Sequence, residues 1–220
     1  MAASETIKVL IADDHQIVRD GLCSLLEKEA DIEVVGVAQE GRTALKMVQN
    51  LAPQVVVMDV SMPDLNGIEA THLIKKDFPE VKVIALSMHT LSRFVINMIQ
   101  AGAAGYLIKD CAFRELSDAI RLVAIKNQVY LSPGIAGSVV QKCLTNSSTD
   151  SSIFTALTSR EREVLQLIAE GMKTVEIAKH LFVGIKTIEG HRSAIFRKLK
   201  INNIAELTKF ALREGVTSLE

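Results

Sequence analysis

The chain has 220 residues, enough for one large domain or two small ones. Its 48% hydrophobic and 23% charged content is that of an ordinary soluble globular protein, and with 4% aromatics and no Trp its core must be aliphatic. A formal net charge of −1 gives no sign of nucleic acid from the average alone. The average hides an asymmetry: residues 153–220 hold 11 Lys+Arg against 8 Asp+Glu, a net of +3, and residues 1–152 hold 14 against 18, a net of −4. An acidic front and a basic tail imply different partners for the two halves. Cys23, Cys111 and Cys143 are odd in number, far apart and without CxxC spacing, which argues against a disulfide scaffold or a zinc site. The start MAASETIK lacks the features of a signal peptide, and no apolar run reaches about 18 residues, so no membrane span is expected and the protein reads as cytoplasmic.

In chain order, the first 126 residues alternate between two periods. IKVLIA (7–12) is a short β-branched run, followed by a helical pattern with Val18, Leu22, Leu25 and Leu26 on one face. IEVVGVA (32–38) is a second strand, and GRTALKMVQN (41–50) a helix ended before Pro53. VVVMD (55–59) is the third strand, with a helix over 66–77 stopped by Pro79. VKVIALS (81–87) precedes a helix near 91–101, and GYLIK (105–109) precedes one over 112–126. Five β-α units in a row predict a parallel sheet with helices on both faces, a flavodoxin-like (βα)5 domain of strand order 2-1-3-4-5 over residues 1–126. Residues 127–152 read as a linker with a short helix ending near Leu144 and the polar run TNSSTDSS (145–152). Residues 153–220 read as four short helices: one capped by Thr158 with Glu161 and ended at Gly171, then 174–182, 184–200, and a fourth capped by Asn203 and stopped at Gly215.

Parallel strands end at one edge, and ligands of such sheets bind there, where the strand order reverses. The five runs deliver Asp13 and Asp14, Asp59, Ser87 and Lys109 to that edge. Three carboxylates in one crevice repel and recruit a cation; carboxylate and carbonyl oxygens suit Mg²⁺. With Lys109 as a cation and Ser87 as a hydroxyl donor, the set forms a receptor for a phosphoryl group, with Asp59 as nucleophile. The motifs IADDH, VVVMDVSMPDLNG, VIALSMH and GYLIKD resemble the signature blocks of response-regulator receiver domains. That resemblance makes Asp59 the phosphoacceptor, with Mg²⁺ held by Asp14 directly, by Asp13 through water, and by the Ser61 carbonyl. It also makes Ser87 and Lys109 the phosphoryl contacts and Tyr106 the switch aromatic. Asp110 stands where many receivers carry Pro, a substitution common in the NarL/FixJ group.

On a helix over 184–200, Ile188, Ile195 and Leu199 form a buried stripe, and Lys186, Gly190, Ser193, Arg197 and Lys200 recur on the opposite face. A short helix precedes it across a tight turn, the helix-turn-helix layout whose second helix enters the major groove. LTSREREVLQLIAEG, EIAKHLF, KTIEGHR and RKLKI are similar to the LuxR-type four-helix DNA-binding domain, with Lys173-Thr174-Val175 and Gly184 as departures from its usual pattern. Glu189, Gly190 and Ser193 are the candidates for base contact, and Lys186, Thr187, Arg192 and Arg197 for phosphate contact.

The two resemblances together imply a NarL/FixJ-type response regulator that controls transcription and is not an enzyme. They imply a cognate sensor histidine kinase, double-stranded promoter DNA, a homodimer on phosphorylation and RNA polymerase as partners. They further imply that the receiver masks the DNA domain until its fourth helix, fifth strand and fifth helix are reshaped and pair with a second copy. An Mg²⁺-dependent aspartyl phosphatase would want a second acid two residues past Asp59, where Ser61 stands. A flavin binder would want aromatics and a phosphate loop in place of the acidic pair. A phosphorylated regulator that docks only proteins remains the alternative to DNA binding.

Overall fold

Strands that are apolar without interruption need cover on both faces, and the chain supplies helices for both. The computed structural model describes residues 6–145 and 156–217. Strands β1 (Ile7–Ala12), β2 (Ile32–Ala38), β3 (Val55–Asp59), β4 (Lys82–Ser87) and β5 (Gly105–Ile108) pair in parallel in the order 2-1-3-4-5. A sixth strand, β6 (Tyr130–Leu131), pairs with β5 from inside the stretch read as linker.

Alternate residues of each strand face opposite ways. Val9, Ile11, Val57 and Leu86 pack with α1 (Gln16–Leu26) and α5 (Lys109–Ile125), while Leu10, Val56 and Met58 pack with α2 (Gly41–Leu51) and α3 (Gly67–Asp77). Ala85 and Tyr106 meet α4 (Ser92–Gln100), and Ile135 of α6 (Pro133–Thr145) is buried in that same cluster with Phe94, Val95 and Met98. The chain's own β6 and α6 therefore take up part of the flank beside α4 and β5 that was expected to pair with a second copy.

Element limits agree with the sequence reading to within a residue or two, with one consequential exception. Lys109, expected to end β5, is the first residue of α5, whose first turn carries Asp110, a charge that suits a helix N-terminus.

Residues 156–217 form α7 (Ser159–Ala169), α8 (Thr174–His180), α9 (Ile185–Leu199) and α10 (Ile204–Glu214). Their core, which includes Val164, Leu165, Ile177, Ile188, Ile195 and Leu207, is separate from those of the sheet. The Thr158–Glu161 capping box opens α7, Asn203 caps α10 by accepting from Glu206 N–H, and Gly215 ends α10 at φ 75°.

The two units meet through polar groups. Every residue from Glu161 to Ile168 is buried, the apolar ones in the core of the four-helix unit and Arg162, Glu163 and Gln166 against the sheet unit. Arg162 Nε donates to Glu69 Oε2, Arg42 bridges to Glu163, and Asn97 Nδ2 donates to Glu214 O at 3.1 Å. Gly215 lies against the Phe94 ring so closely that a Cβ would fall 2.1 Å from Phe94 Cε1. The space left beside Arg162 and Asn97 is about 10 Å³, room for one water at most.

At the start of α3, a Cβ on Gly67 would fall 1.8 Å from the Asp59 carbonyl oxygen. That atom is backbone and has nowhere to go. Gly67→Ala is expected to cost about 3 kcal/mol by overpacking, read as a lower urea midpoint at unchanged m-value.

Candidate functional site

The β1–β3 pairing aligns the carboxyl ends of two neighbouring strands, so Asp13 and Asp59 come to the same crevice. Burial is severe: Asp13 is 0% and Asp59 2% exposed. Lys109 reaches them from the start of α5, its Nζ 2.8 Å from both Asp13 Oδ2 and Asp59 Oδ2. Ser61 N–H donates to Asp59 Oδ1 at 3.2 Å. Ser87 is buried and accepts from His89 N–H at 3.0 Å. Tyr106 is buried and its hydroxyl donates to the His89 carbonyl at 2.8 Å. The structure thus brings together Asp13, Asp14, Asp59, Ser61, Ser87, Lys109 and Tyr106, all named from the sequence.

Charge balance follows from these distances. Burial, and then the Asp13 charge, push the Asp59 carboxyl up to about 7, against the pull of Lys109 and the Ser61 N–H. Burial works against the Lys109 charge, yet Asp59 and Asp13 hold the ammonium above its ordinary value. Burial pushes the Tyr106 phenol up to about 12, so it stays protonated and can donate.

A divalent cation fits this donor set. Asp13, Asp14, His15 and Asp59 offer ligand atoms within 4.8 Å of one another. Asp13 Oδ2 and Asp14 Oδ1 are buried, and among the described residues Lys109 Nζ lies 2.8 Å from the first and His15 Nδ1 2.7 Å from the second. The three carboxylates form a hard-oxygen set of the kind Mg²⁺ takes.

Sequence reading missed two supports of this cluster. Arg19, 7% exposed on α1, donates from Nη1 to the Asp13 carbonyl at 2.7 Å and so pins the β1–α1 turn. Its position among the apolar residues of α1 was the only available signal. His89 bonds Ser61 Oγ through Nε2 and stacks on Phe94 with ring centroids 4.1 Å apart; nothing local to its sequence marks it.

The second candidate surface is α9. Ile188 and Ile195 are fully buried, while Lys186, Thr187, Glu189, Gly190, Ser193 and Arg197 are all exposed. Arg192 is half-buried, its guanidinium 5.4 Å above the Phe196 ring. The sheet unit covers α7 and the end of α10 rather than this face, so the masking expected from sequence does not fall on the basic helix.

Two family models match the chain, one over each unit. Residues 9–121 match the response regulator receiver domain, and residues 155–211 match the luxR family of bacterial regulatory proteins. The chain is 36% identical over 213 residues to the oxygen regulatory protein NreC of Staphylococcus carnosus, covering 94% of this chain and 98% of that one. It is 39% identical over 214 residues to the response regulator UvrY of Escherichia coli, covering 97% of each. Among solved structures it resembles RcsB of Salmonella enterica serovar Typhimurium bound to a promoter with a phosphomimetic, at TM-score 0.62 and 27% identity over 97% of this chain and 100% of that one.

The raised Asp59 pKa has a signed consequence. The folded state holds this proton to about 7 while an unfolded aspartate releases it near 4, so folding stability falls as pH rises through that window. With divalent cations chelated, the melting temperature of Asp59→Asn should exceed that of the wild type by more at about pH 8 than at about pH 4. A gap that does not widen with pH contradicts the assignment.

Proposed function

The chain belongs to the NarL/FixJ family of response regulators, a receiver joined to a LuxR-type DNA-binding domain, and on that premise we propose that it is a transcription factor switched by phosphorylation of Asp59. The observation that carries this reading is the buried Asp59 with Lys109 Nζ 2.8 Å away and Asp13 sharing the same ammonium. A carboxylate nucleophile and a fixed cation are already in place.

The donor is a phosphohistidine of a cognate sensor histidine kinase. A carboxylate oxygen of Asp59 forms the new O–P bond as the N–P bond of the donor breaks, and the leaving imidazole takes a proton. Asp13, Asp14, Asp59 and the Ser61 carbonyl would hold Mg²⁺, which when bound neutralises charge on the transferring group. Lys109 shifts from carboxylate to phosphoryl oxygen. The Ser87 hydroxyl turns toward a second oxygen. Tyr106, bonded to the residue 89 carbonyl, follows that movement. The product adds up to about two negative charges beside Asp13 and so disfavours the arrangement that existed before.

The response is read at DNA. Glu189, Gly190 and Ser193 form the exposed face that meets base edges, and Lys186, Thr187, Arg192 and Arg197 flank it for phosphates. A homodimer on paired half-sites and recruitment of RNA polymerase complete the reading, in the cytoplasm. Among the described residues no helix is long and apolar enough to cross a membrane. Ser61, two residues past Asp59, cannot serve as the general acid of a phosphatase, which supports a regulator over an enzyme.

Acetyl phosphate with Mg²⁺ should add one phosphoryl group by intact mass, and Asp59→Asn should abolish the adduct. Retention of the adduct in the variant would move the acceptor elsewhere.

DNA binding should weaken steeply with salt, and Lys186→Ala and Arg197→Ala should each lower the log K against log salt slope by about one. A flat salt dependence would favour a regulator that docks only proteins.

A further inference from the structure

The loop that follows Asp59 is held from the other domain at every second residue. The Met62 carbonyl accepts from Gln166 Nε2 at 3.0 Å, and the Asn66 N–H donates to Gln166 Oε1 at 2.9 Å. Between them, Asp64 is paired with His180 of α8 and with Arg42, which bridges on to Glu163 of α7. Asn66 Nδ2 donates to the Val216 carbonyl at 2.9 Å. Gln166 is 1% exposed, and Asp64 is held at φ 69°, a left-handed conformation that only a few side chains tolerate. The other end of this loop is Ser61, whose N–H lies on Asp59 and whose carbonyl is the expected metal ligand.

We propose that Gln166, a residue of the DNA-binding domain, is a positioning residue for the phosphorylation site: by clamping residues 62 and 66 it fixes the Ser61 segment over Asp59 and holds down metal binding and phosphoryl acceptance until the domains part. The physical reason is space. Asp59 is 2% exposed, and the Ser61 N–H at the start of this loop lies on its Oδ1 at 3.2 Å, so a ligand at the Asp59 carboxylate requires the loop to yield. A loop bonded at 62, 64 and 66 to a second domain yields only when that domain lets go. The coupling is reciprocal: what loosens the clamp tightens the ligand, and the ligand loosens the clamp.

This rests on the Mg²⁺ reading above, and the test separates the two. Mg²⁺ affinity of the full chain is measured by titration calorimetry in wild type, in Gln166→Leu, which removes both loop bonds, and in Gly215→Ala. The last touches no loop residue but places a Cβ 2.1 Å from Phe94 Cε1, which closure cannot accommodate. Circular dichroism checks that each variant is folded, and small-angle scattering reads domain separation. Both variants are expected to bind Mg²⁺ about fivefold more tightly than wild type and to be more extended. Unchanged Mg²⁺ affinity in either folded variant overturns the proposal. Absence of Mg²⁺ binding in all three proteins overturns the metal reading instead, and this proposal with it.

Discussion

A carboxylate 2% exposed at the end of a strand is the constraint around which the structure is arranged. Burying a charge is costly unless it is paired. The parallel order of β1 and β3 places Asp13 beside Asp59, which worsens the cost, and the first residue of α5 brings Lys109 to relieve it. The relief is incomplete, as the raised Asp59 pKa shows. A site with this residual imbalance favours a cation or any chemistry that redistributes its charge. The same crowding explains Gly67, whose bare Cα is the only one that fits against the Asp59 carbonyl.

The contact between the domains has a different character from either core. The aliphatic clusters of the sheet unit and of the four-helix unit share no residue. What joins the units is a set of hydrogen bonds and ion pairs, with Arg162–Glu69 the most buried pair. Each of those groups can exchange its partner for water when the domains separate, so their net contribution is small compared with that of buried aliphatic surface. A polar interface of this kind suits a contact that must open and close. Its placement on α7 and the end of α10 leaves the basic face of α9 in solvent.

Most of the local structure was legible because its signals are local. The strand runs, the Thr158–Glu161 box, the Asn203 cap and the Gly215 stop all act through residues within four positions, and all appear in place. The acidic cluster was legible because a parallel sheet gathers strand ends at one edge, so order alone predicts convergence. Less visible was β6, two residues long and without apolar alternation of its own, which becomes a strand only because β5 presents a free edge. Lys109 was placed one element too early because the start of α5 depends on where β5 stops pairing. The burial of the charged residues of α7 was not legible, since a helix pattern shows which side is apolar but not what covers the polar side.

The sequence by itself determined the two folds, the convergence of Asp13, Asp14, Asp59, Ser87 and Lys109, and the amphipathic split of α9. These follow from periodicity, caps and strand order, which are properties of neighbours along the chain. Only the tertiary structure decided that Gln166, His180 and Val216 grip the loop after Asp59, that Phe94 meets Gly215, and that α6 lies on α4. Those contacts join residues up to 150 positions apart, and they depend on shape and partner chemistry that no local pattern encodes.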